Sequence, residues 1–448
     1  MLMSRSLGAH HTDGRAARKL VPRTTLAAWD EQARGHDALR TILAQGEDRV
    51  QDLIPIRHGR MSASPWPYFR GAAAVMAADL ASTPHTGITV QMCGDAHVLN
   101  FGLWRTPERS LSFDLRDFDE TLPGPFEWDV KRLLASLVIL ARENRVSESG
   151  ARRAASSAYR NYADTMREYE KTPELDIWYD RIHLRHFAAK LEPFDADELI
   201  SRLEARALKR TSRGASKKLT TVIDGERRIL LRPPLRTALA GAEEKDAAAI
   251  AAAYRDSVPD HVWTLLTHYR IADTVRQVVG VGSVGMRVYL LLLEDLRTAD
   301  PLFIQAKQAT ASVYEKFLGP SEYANHGQRV INGQRLIQSA TDMFVGWTRK
   351  GGHDFYIRQF RDGKVIPSGQ NIAGRLAEFA GACGRVLARA HARSGDPTSI
   401  NDYLGKSAKV EEALIQFASA YADQNERDHR QFAKAVEEKT IPSAPGWE

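Results

Sequence analysis

The segment CGDAHVLNFG, Cys93 to Gly102, decides how this sequence is read, together with FDLRDFDE, Phe113 to Glu120. Each leaves an apolar run of strand character: Ile88 to Met92 before the first, and the alternation Leu111, Phe113, Leu115 in the second. Both runs end among polar groups. Asp95 and Asn100 stand five positions apart, and Asp117 follows 17 positions after Asn100. Two acids and an amide at the ends of short strands suit phosphoryl transfer. That chemistry asks for a carboxylate to orient an attacking hydroxyl, and for an amide oxygen and a second carboxylate to hold the metal bridging the phosphates. On this reading Asp95 orients the nucleophile, and Asn100 and Asp117 hold magnesium through hard oxygen ligands. Asp119 and Glu120 are candidates for a second metal or a substrate contact. The bland alternative is a pair of surface loops rich in acids. His97 either shapes the loop or is an ordinary loop histidine. Asp114 alternates with the core residues of its strand and is expected to be solvated.

Working outward, PGPFEWDVKRLLASL puts Asp129 at a helix start. It is either an N-terminal acid favoured by the helix dipole or a buried brace for the catalytic loop. Much later, Gly280-Val-Gly282-Ser283-Val-Gly285 matches G-x-G-x-x-G. A dinucleotide site would need a helix directly after it and an acid about 20 residues on, and Asp300 lies at a suitable distance. However, RVYLLLLEDLRTADPLFIQAK reads as two strands joined by a polar turn. Strand, glycine loop, strand is the kinase arrangement, in which backbone amides lie over phosphates. The second of these strands ends on Lys307, which either reaches solvent or contacts the α- and β-phosphates. Glu315, on a following helix, is either the lysine's carboxylate partner or a solvated helix acid. Arg287, His391 and Arg393 stay open between site contacts and ordinary strand or helix ends.

The parts come in an unusual order, since the glycine loop and lysine follow the acids instead of preceding them. Site geometry does not depend on chain order, so a circular permutation accounts for this. LARAHARSGD near the C-terminus supports it, because it reads as a helix that would lead into a catalytic loop. The expected fold is α+β: a two-lobed, protein-kinase-like fold, circularly permuted. Its parts are an N-terminal arm and helix (1–55), the first part of a catalytic helical lobe (56–209), a β-rich nucleotide-binding lobe (210–362) and a return to the helical lobe (363–448). Within these, MSASPWPYF (Met61–Phe69) reads as a proline-punctuated loop, and the stretch from Arg210 to Pro234 as a hairpin turning at Asp224–Gly225.

Composition narrows the classes. The chain has 448 residues, 43% of them apolar, enough for a real core. Its 62 basic and 56 acidic residues leave a net charge of +6, too mild for a nucleic-acid footprint. The two cysteines, Cys93 and Cys383, form no CxxC pair, which argues against zinc and a disulfide framework. The first 23 residues are basic and polar with no apolar core, unlike a secretory signal. LLASLVILA (Leu133–Ala141) is too short to cross a bilayer. A cytoplasmic protein without membrane or nucleic-acid partners is expected.

With these residues in view, the sequence is similar to the bacterial domain-of-unknown-function family 2252. The stretches that carry the similarity are SPWPYFRGAA, GDAHVLNFG, FDLRDFDET, PGPFEWDVKRL, VVGVGSVGMRVYLLLL, YANHGQRVINGQRL, FYIRQFRD, LARAHARSGD and YADQNERD. They span nearly the whole chain after the arm. The resemblance implies kinship with protein-kinase-like and aminoglycoside-phosphotransferase-like enzymes, whose HGD-x-H-x-x-N and I-D-F-[DE] elements resemble CGDAHVLNFG and LRDFDE. It implies a catalytic base at Asp95, metal ligands at Asn100 and Asp117, and a structural acid at Asp129. Cys93 stands where those enzymes carry a histidine. The activity expected is ATP- and Mg2+-dependent phosphoryl transfer to a hydroxyl-bearing small molecule. The alternatives are a nucleotide-binding, pseudokinase-like regulator, a nucleotidyl (AMP) transferase on the same fold and, more remotely, a dinucleotide-dependent oxidoreductase.

Overall fold

In the computed structural model of the protein, residues 13–191, 195–365 and 367–445 are described. Most of the expected N-terminal arm, residues 1–12, lies outside them. The early chain builds short helices, among them α1 (Ile54–Ser62), α2 (Pro65–Gly71) and α3 (Ala73–Ala81). The loop expected over Met61–Phe69 is thus largely helix. Pro65 sits in the first turn of α2, where a missing N–H costs no hydrogen bond.

Two short strand pairs carry the acidic segments. β1 (Thr89–Met92) and β2 (Phe101–Arg105) flank the first segment, and β3 (Leu111–Leu115) and β4 (Leu122–Pro125) flank the second. β1 pairs with β4 and β2 with β3, both antiparallel, so the two polar turns leave the pairs side by side. Both faces of β3 are covered, which corrects the expectation for Asp114. That acid is buried, with Arg389 Nη2 at 2.6 Å and the Ser339 hydroxyl donating at 2.6 Å. A carboxylate is tolerated inside only when paired and hydrogen-bonded in this way.

The helix α4 (Phe126–Glu143) follows at once and is buried from Phe126 through Ala141. A helix enclosed on every side needs neighbours all round. They are α5 (Glu148–Tyr169) and, from the far end of the chain, two more helices described below.

Six later strands make one antiparallel sheet. They are β5 (Arg236–Ala238), β6 (Tyr269–Gln277), β7 (Val288–Asp295), β8 (Pro301–Ala309), β9 (Gly346–Lys350) and β10 (His353–Gln359), in spatial order β9-β10-β8-β7-β6-β5. The hairpin at Asp224–Gly225 is present as Thr220–Ile223 against Glu226–Ile229, with both turn residues at positive φ, but the residues before it form a helix, Ser212–Leu219. β8 is buried along its length. Leu302, Ile304 and Ala306 pack against the helix Ala242–Ala253, while Phe303 joins Leu290 and Leu292 on the other face. Farther along that second face the residues turn polar. Lys307 stands opposite Tyr356, and Gln305 opposite Arg358. The helix α6 (His326–Ile337) connects β8 to β9.

After β10 the chain returns to the helical mass. Val365 bridges Leu103 of β2, with N–O distances of 2.8 and 3.2 Å. Then come α7 (Leu376–Ala392), which lies along α5, and α8 (Lys409–Glu437), which packs on α4. Just past α7, the Ser394 hydroxyl accepts from Gln91 N at 2.9 Å, so the tail helix ends beside β1. The architecture is α+β. Among the described residues no helix is long and apolar enough to cross a membrane.

Candidate functional site

The sheet's polar patch and the two acidic turns face one another across a cavity of about 140 Å³. Asp95, His97, Asn100, Asp117, Asp119 and Glu120 line one side; Gly280, Gly282, Ser283 and Lys307 line the other. Residues from distant parts of the sequence thus share one cleft.

The turn after β1 depends on Gly94. Its φ is +83°, and a Cβ there would lie 2.2 Å from the Glu120 carbonyl oxygen. Only glycine allows both the backbone conformation and the close approach of the two acidic turns. Asp129 then fastens the turn. Its carboxylate accepts from Cys93 N at 2.7 Å and Gly94 N at 2.9 Å, which makes it a buried brace rather than a plain helix-start acid. His391, from α7, sits 3.3 Å from the same carboxylate and is held by the Tyr162 hydroxyl at 2.8 Å. The Tyr314 hydroxyl donates to Gly94 O at 2.6 Å. These buried groups hold the loop that carries Cys93. Burial pushes the Cys93 thiol well above its ordinary pKa, and its Sγ faces Asp117 O at 3.3 Å.

Asp95 projects into the cleft with one oxygen fixed by Arg132 Nε at 2.6 Å. Arg132 is itself buried under the Phe69 ring. The Asn100 amide nitrogen donates to Asp95 O at 2.6 Å, leaving the amide oxygen available. Asp117 Oδ1 is buried with no hydrogen-bond partner. Burial raises the Asp117 carboxyl, and neighbouring Asp119 adds to that. An orphaned carboxylate oxygen beside a fixed amide suits a hard cation that takes its other ligands from phosphate and water. Among the described residues no three His, Cys, Asp or Glu side chains converge as a metal-binding group, so a cation here would depend on that outside share. His97 supports the loop: its backbone N–H donates to Asp95 O at 2.8 Å and its ring packs edge-on to Trp66. Burial drives its pKa well below the usual histidine value.

Lys307 is bonded to Asp119, and the Tyr356 hydroxyl donates to the other Asp119 oxygen at 2.7 Å. Burial alone would raise the Asp119 carboxyl, but Lys307 and Tyr356 hold it below the usual range. Burial works against the Lys307 ammonium too, and Asp119 more than offsets it. The pairing with Glu315 is therefore overturned. Glu315 accepts from the backbone of Ser312 and Ser321 and faces Arg329 and His326. It shapes its own loop and does not line the cleft.

The glycine loop forms a single tight turn over Val281–Ser283. Gly285 lies outside the cleft: its φ is +90°, and a Cβ would press on the Arg49 side chain at 2.9 Å. Arg49 Nη1 donates to the carbonyls of Gly282 (2.9 Å) and Val284 (2.5 Å), and Arg60 Nη1 to that of Val279 (2.8 Å). Arg49, Arg70 and Arg358 also line the cleft. Arg70 and Arg358 lie in the stretches SPWPYFRGAA and FYIRQFRD, but no spacing in the sequence assigns any of the three to the cleft. A second cavity, about 890 Å³, shares Gln45, Arg49 and Glu120 with the first as its wall.

Residues 49–435 match the family model described as an uncharacterized protein conserved in bacteria, DUF2252. The chain belongs to that family. No curated protein and no solved structure matches the chain. Membership therefore brings no activity with it, and the family's function has to be argued from the cleft.

Proposed function

We propose that the protein is an ATP- and magnesium-dependent phosphotransferase acting on a hydroxyl-bearing small molecule. One observation carries this reading: the Gly280–Ser283 turn and Lys307 line the same cavity as Asp95, Asn100 and Asp117. Phosphoryl transfer needs a cradle for phosphates, a cation on them, a metal site and a carboxylate for the acceptor, and all four have candidates here.

On this reading the fold is a permuted kinase-like one. Strand, glycine loop, strand, lysine strand, helix and two further strands follow in kinase order from β6 to β10. The chain then runs through α7, whose end abuts the strand leading into Asp95. One departure is plain. Kinases pair the strand lysine with a glutamate of the next helix. Here α6 offers Arg329, which binds the carbonyls of Asp119, Thr121 and Thr310, while Asp119 takes the lysine.

Asp95 accepts the proton of the acceptor hydroxyl as its oxygen bonds to the γ-phosphorus. The bond from that phosphorus to the bridging oxygen breaks, and its electrons leave with ADP. Arg132 keeps the Asp95 carboxylate aimed. Asn100 and Asp117 would hold magnesium, which neutralises charge on the phosphate oxygens. The adjoining 890 Å³ cavity is of small-molecule size and supports a small acceptor.

The test uses γ-labelled ATP with magnesium, following ATP turnover and the intact mass of the protein. Asp95→Asn is expected to lower turnover by about 10³-fold while nucleotide affinity changes less than about twofold. Undiminished turnover in that variant removes Asp95 from the chemistry. A mass increase of one AMP instead of one phosphate replaces this reading with nucleotidyl transfer.

A further inference from the structure

Arg70, at the end of α2, is the cation lining the cleft that has no partner among the described residues. It lies directly below the glycine loop: a Cβ on Gly280 would be 4.0 Å from its Nη2. It faces Asp95, Asn100 and Asp117 across the same small cavity. The other cations there are engaged. Lys307 is on Asp119, Arg49 on two loop carbonyls, and Arg358 on the Gln305 amide oxygen at 3.2 and 3.3 Å. Among the described residues Arg70 has no ion-pair partner, and its Nε is buried without a hydrogen bond. Burial lowers its pKa, and the fields of Asp95 and Asp117 only partly oppose this.

A desolvated guanidinium without a partner is a costly group to keep. Its planar fork of donors matches the paired oxygens of a phosphate or a carboxylate, and in a cleft already lined by protein carboxylates and a glycine turn a phosphate is the fitting ligand. The position suits a terminal phosphate more than an inner one. Lys307 is on the sheet side, where the α- and β-phosphates are expected, while Arg70 comes from the helical side that carries Asp95.

We propose that Arg70 binds the terminal phosphate of the nucleotide, making the space between Gly280 and Asp95 a phosphoryl subsite supplied from the N-terminal helices. This rests on the phosphotransferase reading and adds a residue that reading does not require.

The test is calorimetric titration of the full-length protein with Mg-ATP, Mg-ADP and inorganic phosphate, alongside thermal melting, for wild type, Arg70→Ala and Arg70→Lys. Loss of a charge-assisted pair predicts Mg-ATP binding weakened by about 30-fold in Arg70→Ala, with Mg-ADP changed by less than about threefold. Arg70→Lys falls between, keeping the charge and losing the fork. Without ligand, Arg70→Ala is expected to melt no lower than wild type, because the charge it removes is unpaired. Unchanged Mg-ATP affinity in Arg70→Ala overturns the subsite while leaving the phosphotransferase reading intact. Equal losses for ATP and ADP with a lowered melting temperature also overturn it, in favour of a structural arginine. If wild type binds neither nucleotide, the phosphotransferase reading fails. The subsite then stands only if inorganic phosphate stabilises wild type and not Arg70→Ala, and it falls otherwise.

Discussion

The acidic turns and the glycine loop line the same cavity, yet they are fastened by different means. The turn at Gly94 is held from beneath by Asp129, Tyr314 and His391, all buried. The glycine loop is held by the burial of Val281 and Val284 against the N-terminal helices and by bonds to its backbone that are only partly buried. Its carbonyls are taken by Arg49 and Arg60, and Val50 N donates to Gly285 O at 2.8 Å. Fully buried hydrogen bonds open only with much of the structure, whereas partly buried ones open at lower cost. The cavity between the halves is about 140 Å³. An engineered cavity of about 150 Å³ in another protein holds one benzene. The cleft is of a size for phosphate groups and adjoins the larger second cavity. On the proposed function, the glycine loop is the half expected to shift when a nucleotide binds, with the acidic turns staying in place.

The largest effect that could break this comparison comes from Asp129. Replacing it with alanine strands two buried amides and the His391 imidazole. We expect Asp129→Ala to lose about 4 kcal/mol of unfolding free energy in urea. A loss below about 1 kcal/mol would mean that the acidic turn is not fastened from beneath.

A smaller effect concerns Glu120, on the wall between the two cavities. Burial pushes its carboxyl from the ordinary 4.5 up to about 7, against the pull of the Val313 backbone N–H. The folded state therefore keeps a proton that the unfolded chain has lost. The stability this confers is full below about pH 4.5 and disappears as pH rises through about 7. The decline is on the order of 3 kcal/mol. Unfolding free energies from pH 5 to 8 should fall in wild type and stay flatter in Glu120→Gln. Parallel pH profiles would show that Glu120 is not held in a desolvated wall.

The smallest global effect belongs to Arg49. Arg49→Ala should cost only about 1 kcal/mol, yet raise amide exchange across residues 279–285 by about tenfold and leave residues 93–102 unchanged. Equal acceleration in both segments would erase the distinction between the halves.

Much of this was legible in the sequence where chemistry is local. The strand, glycine loop, strand, lysine succession and the spacing of Asp95, Asn100 and Asp117 announced the two faces of the cleft. Asp129 stayed open in the sequence between a helix-start acid and a brace, and its bonds to Cys93 N and Gly94 N decide for the brace. What escaped was set by tertiary placement. Glu315 looked like the lysine's partner, but nothing local revealed that its own loop would consume it, or that Asp119 would reach across. Asp114 has the alternation of an exposed residue, and only the packing of α7 with Arg389 buries it. Arg49 comes from a bend and Arg70 and Arg132 from helices, and although Arg70 and Arg132 lie in the stretches SPWPYFRGAA and PGPFEWDVKRL, no local spacing places the three on one cleft. The prolines of SPWPYF were misread because a proline that starts a helix and one that punctuates a loop look alike in isolation.

The most direct test of the central claim is a crystal structure of the protein with magnesium and a non-hydrolysable ATP analogue. The account predicts metal bound by Asn100 and Asp117, the triphosphate beneath Gly280–Ser283 and beside Lys307, and a lifted glycine loop over an unmoved Asp95 turn. A nucleotide bound elsewhere, or a metal held without Asn100 and Asp117, would contradict it.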